Sequence, residues 1–221
     1  MTDTPVLLWD GPTDASVVLI LAHGAGLPMD SPFMTIVAEG VAEAGFRVAR
    51  FEFPYMALRR SEGRKKPPDR APVLLSTWRD VITHTRAAHP AATIVIGGKS
   101  MGGRMASMIA AGIEDEKDAT SISALVCMGY PFHPPGRPEK LRVEHLTAIT
   151  VPMLIVQGER DPFGTNEEVP NYALSKSTQV TWMPDGEHSF KPRKRSGHTE
   201  AENLDLCIAN ISNFLSTLNS S

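Results

Sequence analysis

The chain has 221 residues, 42% of them hydrophobic and 21% charged, with a formal net charge of −3. That size and balance suit one compact domain spanning residues 1–221, and they exclude a global pull toward nucleic acid or an anionic membrane. No apolar run approaches the roughly 18 residues of a transmembrane helix. The opening Met1-Thr2-Asp3-Thr4-Pro5 lacks the basic and apolar regions of a signal peptide. Cys127 and Cys207 fall in core-like segments and read as buried thiols in a reducing cytoplasm. No His/Cys cluster has zinc-ligand spacing, so neither a metal nor an organic cofactor is expected.

Along the chain, short apolar runs alternate with amphipathic stretches, the pattern of an α/β fold with a mainly parallel sheet of about six to seven strands and helices on both faces. Residues 6–9 are a candidate edge strand. Val17-Val18-Leu19-Ile20-Leu21-Ala22 is apolar throughout, as a strand buried on both faces should be. Phe33, Ile36, Val37, Gly40, Val41 and Ala44 then recur at helical spacing, and 47–53 reads as a strand stopped by Pro54. The stretch 54–72 carries Arg59, Arg60, Arg64, Lys65, Lys66 and Arg70 against Glu62 and Asp69, and reads as a long basic loop. A helix follows on Leu74, Leu75, Trp78, Val81, Ile82 and Thr85. Then come a strand at 93–97, a helix at 101–113, strands at 122–128 and 153–158, and a weaker one at 179–183. The last helix places Leu204, Cys207, Ile208, Ile211, Leu215 and Leu218 on one face.

Gly98-Lys99-Ser100-Met101-Gly102 matches G-x-S-x-G, directly after the apolar 93–97 strand and at the start of a helix. That setting is what the motif requires: a sharp strand-to-helix turn lifts a serine hydroxyl above the strand ends, with flanking positions that bear no Cβ. The pentapeptide alone is weak, since a glycine-rich turn would look the same; the strand–turn–helix context makes Ser100 the candidate nucleophile. His23-Gly24-Ala25-Gly26 follows another buried strand, and in this arrangement the backbone N–H groups of Ala25 and Met101 are the expected oxyanion donors. His23 reads as a structural histidine that orders this loop.

A serine hydroxyl needs a base. In sites built on such an elbow the acid and then the base follow the serine in the chain. His188, in Asp185-Gly186-Glu187-His188-Ser189-Phe190, follows the last expected strand and is preferred over His133, His145 and His198. Asp161, just past the 153–158 strand, is the preferred acid, with Glu159 and Asp185 as rivals; Asp185 also suits a turn cap ahead of His188.

With these residues on the page, the sequence resembles the α/β-hydrolase superfamily. More narrowly it resembles the dienelactone-hydrolase-like side, and most closely the small KANSL/Tex-type subfamily. The resemblance is carried by His23-Gly24-Ala25-Gly26 with Met29-Asp30-Ser31, by Arg50-Phe51-Glu52-Phe53-Pro54-Tyr55-Met56 and by Pro67-Pro68-Asp69-Arg70. It continues in Gly98-Lys99-Ser100-Met101-Gly102-Gly103-Arg104, in 129–136 and in Gly158-Glu159-Arg160-Asp161-Pro162-Phe163-Gly164. It implies the hydrolase fold with Ser100 as nucleophile and His188 as base, supports Asp161, and implies no particular substrate. Many hydrolases of this kind insert a lid between the strands at 122–128 and 153–158; this gap is too short, so an open site is expected.

The function expected from this reading is hydrolysis of a carboxylic ester or thioester of a small substrate through an acyl-enzyme on Ser100, with activity rising as a histidine (ordinarily about 6.5) loses its proton. Two alternatives stand beside it: a peptidase or acyltransferase using the same residues, and an interaction protein that keeps the fold, as some eukaryotic members of the subfamily do. Lys99, Arg59, Arg60, Arg70 and Lys191 are candidate contacts to an anionic substrate, the rival being a solvated basic surface. The expected partner is a small molecule, with monomer and dimer both open.

Overall fold

The computed structural model describes residues 6–115, 117 and 122–218. Seven strands form one sheet: β1 Leu7–Asp10, β2 Val17–Ala22, β3 Arg47–Phe51, β4 Thr93–Lys99, β5 Ala124–Met128, β6 Met153–Gly158 and β7 Thr178–Met183, in the order β1-β3-β2-β4-β5-β6-β7. β1 pairs antiparallel to β3 at the edge, and every other pairing is parallel. The expected edge strand is therefore present, shifted by one residue.

The helices divide between the faces according to strand alternation. Val17, Leu19, Leu21, Val48, Val95, Val126, Leu154 and Val156 point to α1 (Pro32–Glu43) and to the last helix, α5 (Glu200–Thr217). Val18, Ile20, Phe51, Ile94, Ile96, Leu125 and Ile155 point to α3 (Ala71–Ala88) and α4 (Met101–Ala110). Because β2, β4, β5 and β6 are covered on both faces, every residue of β2, β5 and β6 is buried. This is why those runs show no polar alternation. The 129–152 connection, where a lid would sit, holds only the short 3-10 turn Glu144–Ala148. No helix among the described residues is long and apolar enough to cross a membrane.

The long basic loop is corrected in its first half. Residues Pro54–Glu62 form a helix, α2, entered by Pro54 at its first turn and closed by Gly63 in the left-handed conformation (φ 66°). Tyr55 and Met56 are buried beneath it, while Arg60 and Glu62 stay in solvent. Elsewhere the differences are at element ends. α4 stops at Ala110 rather than 113 because Gly112 turns the chain left-handed (φ 67°) and its N–H donates to the Ile109 carbonyl. β3 stops at Phe51, where its partner β2 ends at Ala22. Both cysteines are free and buried, as expected.

The strand order reverses between β2 and β4, since β3 lies to one side of this pair and β5 to the other. Open parallel sheets leave a crevice at the carboxyl ends of strands at such a point. His23–Gly26, Ser100, Asp161 and His188 follow β2, β4, β6 and β7 respectively, so all of them emerge at that end of the sheet.

Candidate active site

Ser100 lies between β4 and α4 with φ 51° and ψ −115°, a conformation that costs a side-chain-bearing residue roughly 1–3 kcal/mol. The surroundings enforce it. The Ser100 N–H donates to the Met128 carbonyl (2.9 Å), and the Ser100 carbonyl accepts the Arg104 N–H (2.9 Å) as the helix begins. The glycines of the motif are required by close approach: a Cβ on Gly98 would lie 2.3 Å from the Ala22 carbonyl oxygen, and one on Gly102 would lie 2.5 Å from that oxygen and 2.6 Å from His23 O. Both obstacles are backbone. Gly102→Ala should therefore destabilise the fold by about 1–3 kcal/mol, the usual range for overpacking, seen as a lowered denaturation midpoint; an unchanged midpoint would contradict the packing argument.

Three side chains meet at the turn. His188 Nε2 is 2.9 Å from Ser100 Oγ, and His188 Nδ1 is 2.8 Å from Asp161 Oδ2. Asp161 is fully buried, so its carboxylate needs partners. It accepts from Gln157 Nε2 at 3.0 Å and from the Phe163 N–H at 2.9 Å as well as facing the imidazole. Gln157 is itself fixed: its Oε1 accepts the Tyr130 N–H (2.7 Å), and its Nε2 also reaches the Tyr130 and Gly164 carbonyls. Phe163 packs on the His188 ring, with centroids 4.4 Å apart and an interplanar angle of 35°. An acceptor carboxylate on Nδ1 leaves Nε2 free to accept the serine proton, the arrangement required of a general base.

The rival residues are engaged elsewhere. Glu159 accepts the Asp185 N–H (2.7 Å). Asp185 accepts the Arg193 N–H (2.7 Å) and its guanidinium, which holds the Asp185 carboxyl down to about 2 and pins the chain just beyond His188. His145 is hydrogen-bonded to Ser107 (2.8 Å), and burial with the nearby Arg104 charge pushes it down to about 4. His133 faces the Pro134 carbonyl and Glu168, and His198 is exposed. The base loop is docked to α5 by buried Asn203, whose Nδ2 donates to the Pro184 (3.0 Å) and Phe190 (2.7 Å) carbonyls.

The 23–26 loop is oriented from beneath. His23 Nε2 accepts the Phe53 N–H (3.1 Å), so the ring proton sits on Nδ1, which donates to the Gly24 carbonyl (2.6 Å). Burial lowers the His23 pKa and keeps this ring neutral. Tyr55 Oη donates to the Gly24 and Ala25 carbonyls (3.3 and 3.1 Å), and burial pushes this phenol up to about 12, so it keeps its proton. No peptide here is cis. A trans peptide directs its N–H opposite to its C=O. With the Gly24 carbonyl turned onto His23 and Tyr55, the Ala25 N–H of the same peptide points away from them. Met101 N–H likewise opposes the Ser100 carbonyl and opens the N-terminus of α4, where negative charge is favoured. On the expectation that the Ala25 N–H serves an oxyanion, Tyr55→Phe should lower kcat on an ester about tenfold with KM nearly constant, since a mis-aimed donor weakens only the charged intermediate; a loss confined to KM would contradict this.

Leu27, Phe33, Met34, Phe163, Lys99 and His188 line a cavity of about 270 Å³ that opens at Ser100. Of the basic residues named from sequence, only Lys99 reaches it. Arg60 is exposed and bridges Glu52 (2.6 Å) and Asp30 (2.7 Å). Arg59 lies over the Tyr55 ring and donates to the Lys66 and Ala25 carbonyls. Lys191 is exposed and pairs with Glu200 (3.7 Å), and Arg70 is an exposed residue at the start of α3. The positioning partners Gln157, Tyr55 and Phe163 were not anticipated. Gln157 had a signal, a lone amide ending the apolar run Met153–Val156.

Comparison with known proteins agrees with this architecture. A family model described as an alpha/beta hydrolase domain matches residues 15–216. Among solved structures, Est1E from Butyrivibrio proteoclasticus superposes with a TM-score of 0.71 at 16% identity, covering 97% of this chain and 94% of that one. A dienelactone hydrolase from Anabaena variabilis gives 0.66 at 19% identity (92% and 88% covered). A serine hydrolase without a lid from Xanthomonas campestris gives 0.63 at 20% identity (92% and 86% covered). At these identities the structures speak for the fold, and the family model spans nearly the whole sheet and the turn that carries Ser100. The chain belongs to the alpha/beta hydrolase family.

Proposed function

We propose that the protein is a serine hydrolase that cleaves a carboxylic ester or thioester of a small substrate through an acyl-enzyme on Ser100. The observation that carries this reading is the hydrogen-bonded series Asp161–His188–Ser100 at the mouth of a mostly apolar cavity. In the proposed cycle Ser100 Oγ attacks the carbonyl carbon and His188 Nε2 takes the hydroxyl proton. The carbonyl oxygen becomes an oxyanion facing the Ala25 and Met101 N–H groups. Collapse breaks the bond to the leaving group, which departs with the proton from His188. Water then repeats the sequence on the acyl-enzyme, releasing the acid and restoring Ser100.

The cavity favours a short or flat acyl group held by Leu27, Phe33, Met34 and Phe163. Arginine selection of an anionic substrate has little support, since Arg59 and Arg60 already have partners outside the cavity. Est1E is known with ferulic acid bound, which makes an aryl acyl ester a sensible probe. The KANSL/Tex-type assignment within the family rests on the sequence runs that carry the resemblance, and the two free buried thiols fit a cytoplasmic location.

The test is turnover of p-nitrophenyl acetate and butyrate, an aryl acyl ester, an acyl thioester and a p-nitroanilide, together with labelling by a fluorophosphonate. Ester or thioester cleavage well above anilide cleavage, with labelling, supports the proposal. No labelling and no turnover would overturn it in favour of an interaction protein.

A further inference from the structure

We propose that Lys99 is a positioning residue that holds His188 over Ser100 by gripping the backbone carbonyl of the base. The inference rests on the reading of Ser100 and His188 as nucleophile and base. Lys99 immediately precedes Ser100, yet its side chain does not reach outward: the residue is only 9% exposed. Its Nζ donates to the His188 carbonyl oxygen at 2.5 Å, across 89 positions of sequence. The ammonium lies 5.4 Å from the centre of the Phe33 ring and 5.8 Å from that of Phe190. A Cβ on Gly129 would come within 2.6 Å of Nζ and 3.3 Å of His188 Cε1, so the bare glycine at the end of β5 leaves room for both. The stem passes the oxyanion loop, with Cγ 3.7 Å from where a Gly24 Cβ would stand. One side chain thus joins the elbow, the 23–26 loop and the base loop.

An ammonium is a costly choice for this place. No carboxylate among the described residues forms an ion pair with it, and burial pushes Lys99 down to about 8, with Asp161 and Glu187 acting against that shift from farther away. A methionine would fill the same space without a buried charge. What lysine adds is a charge-assisted bond to a carbonyl, in a loop whose ring must be placed to a fraction of an ångström. The other groups facing this spot are the carboxylates of Asp161 and Glu187 and the thiol of Cys207, which burial keeps protonated.

The experiment compares wild type, Lys99→Met and Lys99→Gln by steady-state kinetics on p-nitrophenyl butyrate, by fluorophosphonate labelling rate and by thermal melting. In Lys99→Met, kcat should fall about 10- to 100-fold at constant KM, the scale of a displaced base. Lys99→Gln, a neutral donor that can still reach the His188 carbonyl, should regain part of kcat. The proposal is overturned if Lys99→Met retains kcat within about twofold, if the loss lies in KM, or if kcat falls alongside a lowered melting temperature and Lys99→Gln regains none of it. Ser100→Ala separates the two readings: its loss of labelling beside an unaffected Lys99→Met removes Lys99 alone, whereas labelling that survives in Ser100→Ala removes Ser100 as the nucleophile on which this inference rests.

Discussion

Ser100→Ala is expected to abolish fluorophosphonate labelling and to lower ester turnover on the order of 10⁶-fold while the protein stays folded. The size follows from the proposed cycle: without the alcohol no acyl-enzyme can form, and only oxyanion stabilisation and substrate binding would be left to help water attack directly. The fold should tolerate the change. Alanine keeps the backbone hydrogen bonds to Met128 and Arg104, and the one side-chain bond lost, to His188, is worth about 1 kcal/mol. The left-handed backbone at this position costs alanine much what it costs serine. Rates, labelling stoichiometry and a melting curve on the same sample check all three parts. Full labelling of the variant would place the nucleophile elsewhere.

Asp161→Asn should lower kcat about 10⁴-fold, and for a reason local to this site. The carboxylate here is a sink for three donors: His188 Nδ1–H, the Gln157 amide and the Phe163 N–H. An asparagine brings two N–H groups of its own into that cluster. If its amide nitrogen replaces Oδ2, it faces both His188 and the Gln157 amide, and the ring adopts the tautomer with the proton on Nε2 and cannot take one from Ser100. If it replaces Oδ1, the His188 tautomer is kept and the buried Phe163 N–H is left opposed by another donor, costing about 1–3 kcal/mol of stability. Steady-state kinetics with chemical denaturation distinguishes the two orientations. A variant with wild-type kcat would mean that a different group orients the imidazole.

Much of the architecture was readable because burial on both faces leaves an uninterrupted apolar run. Val17–Ala22 and Met153–Gly158 begin and end in the structure where they do in the sequence. The juxtaposition of Ser100, Asp161 and His188 was legible from chain order, since each follows a strand and parallel strands deliver their C-terminal ends to one side. α2 was hidden by its own composition: only Tyr55 and Met56 are buried, and the basic residues around them mask the helical period. Its signals were punctuation, proline at the start and glycine just past the end. The basic side chains were misleading for a related reason. Charge says nothing of direction, and Lys99 turns inward while Arg60 turns out to Glu52. The orientation of the Gly24 carbonyl was beyond reach, because it depends on Tyr55 arriving from another element.

Phe163 links two properties that evolution and engineering commonly vary apart. Its ring is both a wall of the cavity and the surface on which the imidazole rests, and its own amide hydrogen bonds Asp161. Trimming this wall to admit a bulkier acyl group would therefore slacken the base along with the binding space, so breadth gained there is bought with speed. Leu27 and Met34 line the same cavity from the segment after β2, and their apolar side chains carry no hydrogen-bond donor with which to hold Asp161 or His188. Divergence in acyl preference among relatives with this geometry should accumulate at those two positions and leave the aromatic one alone.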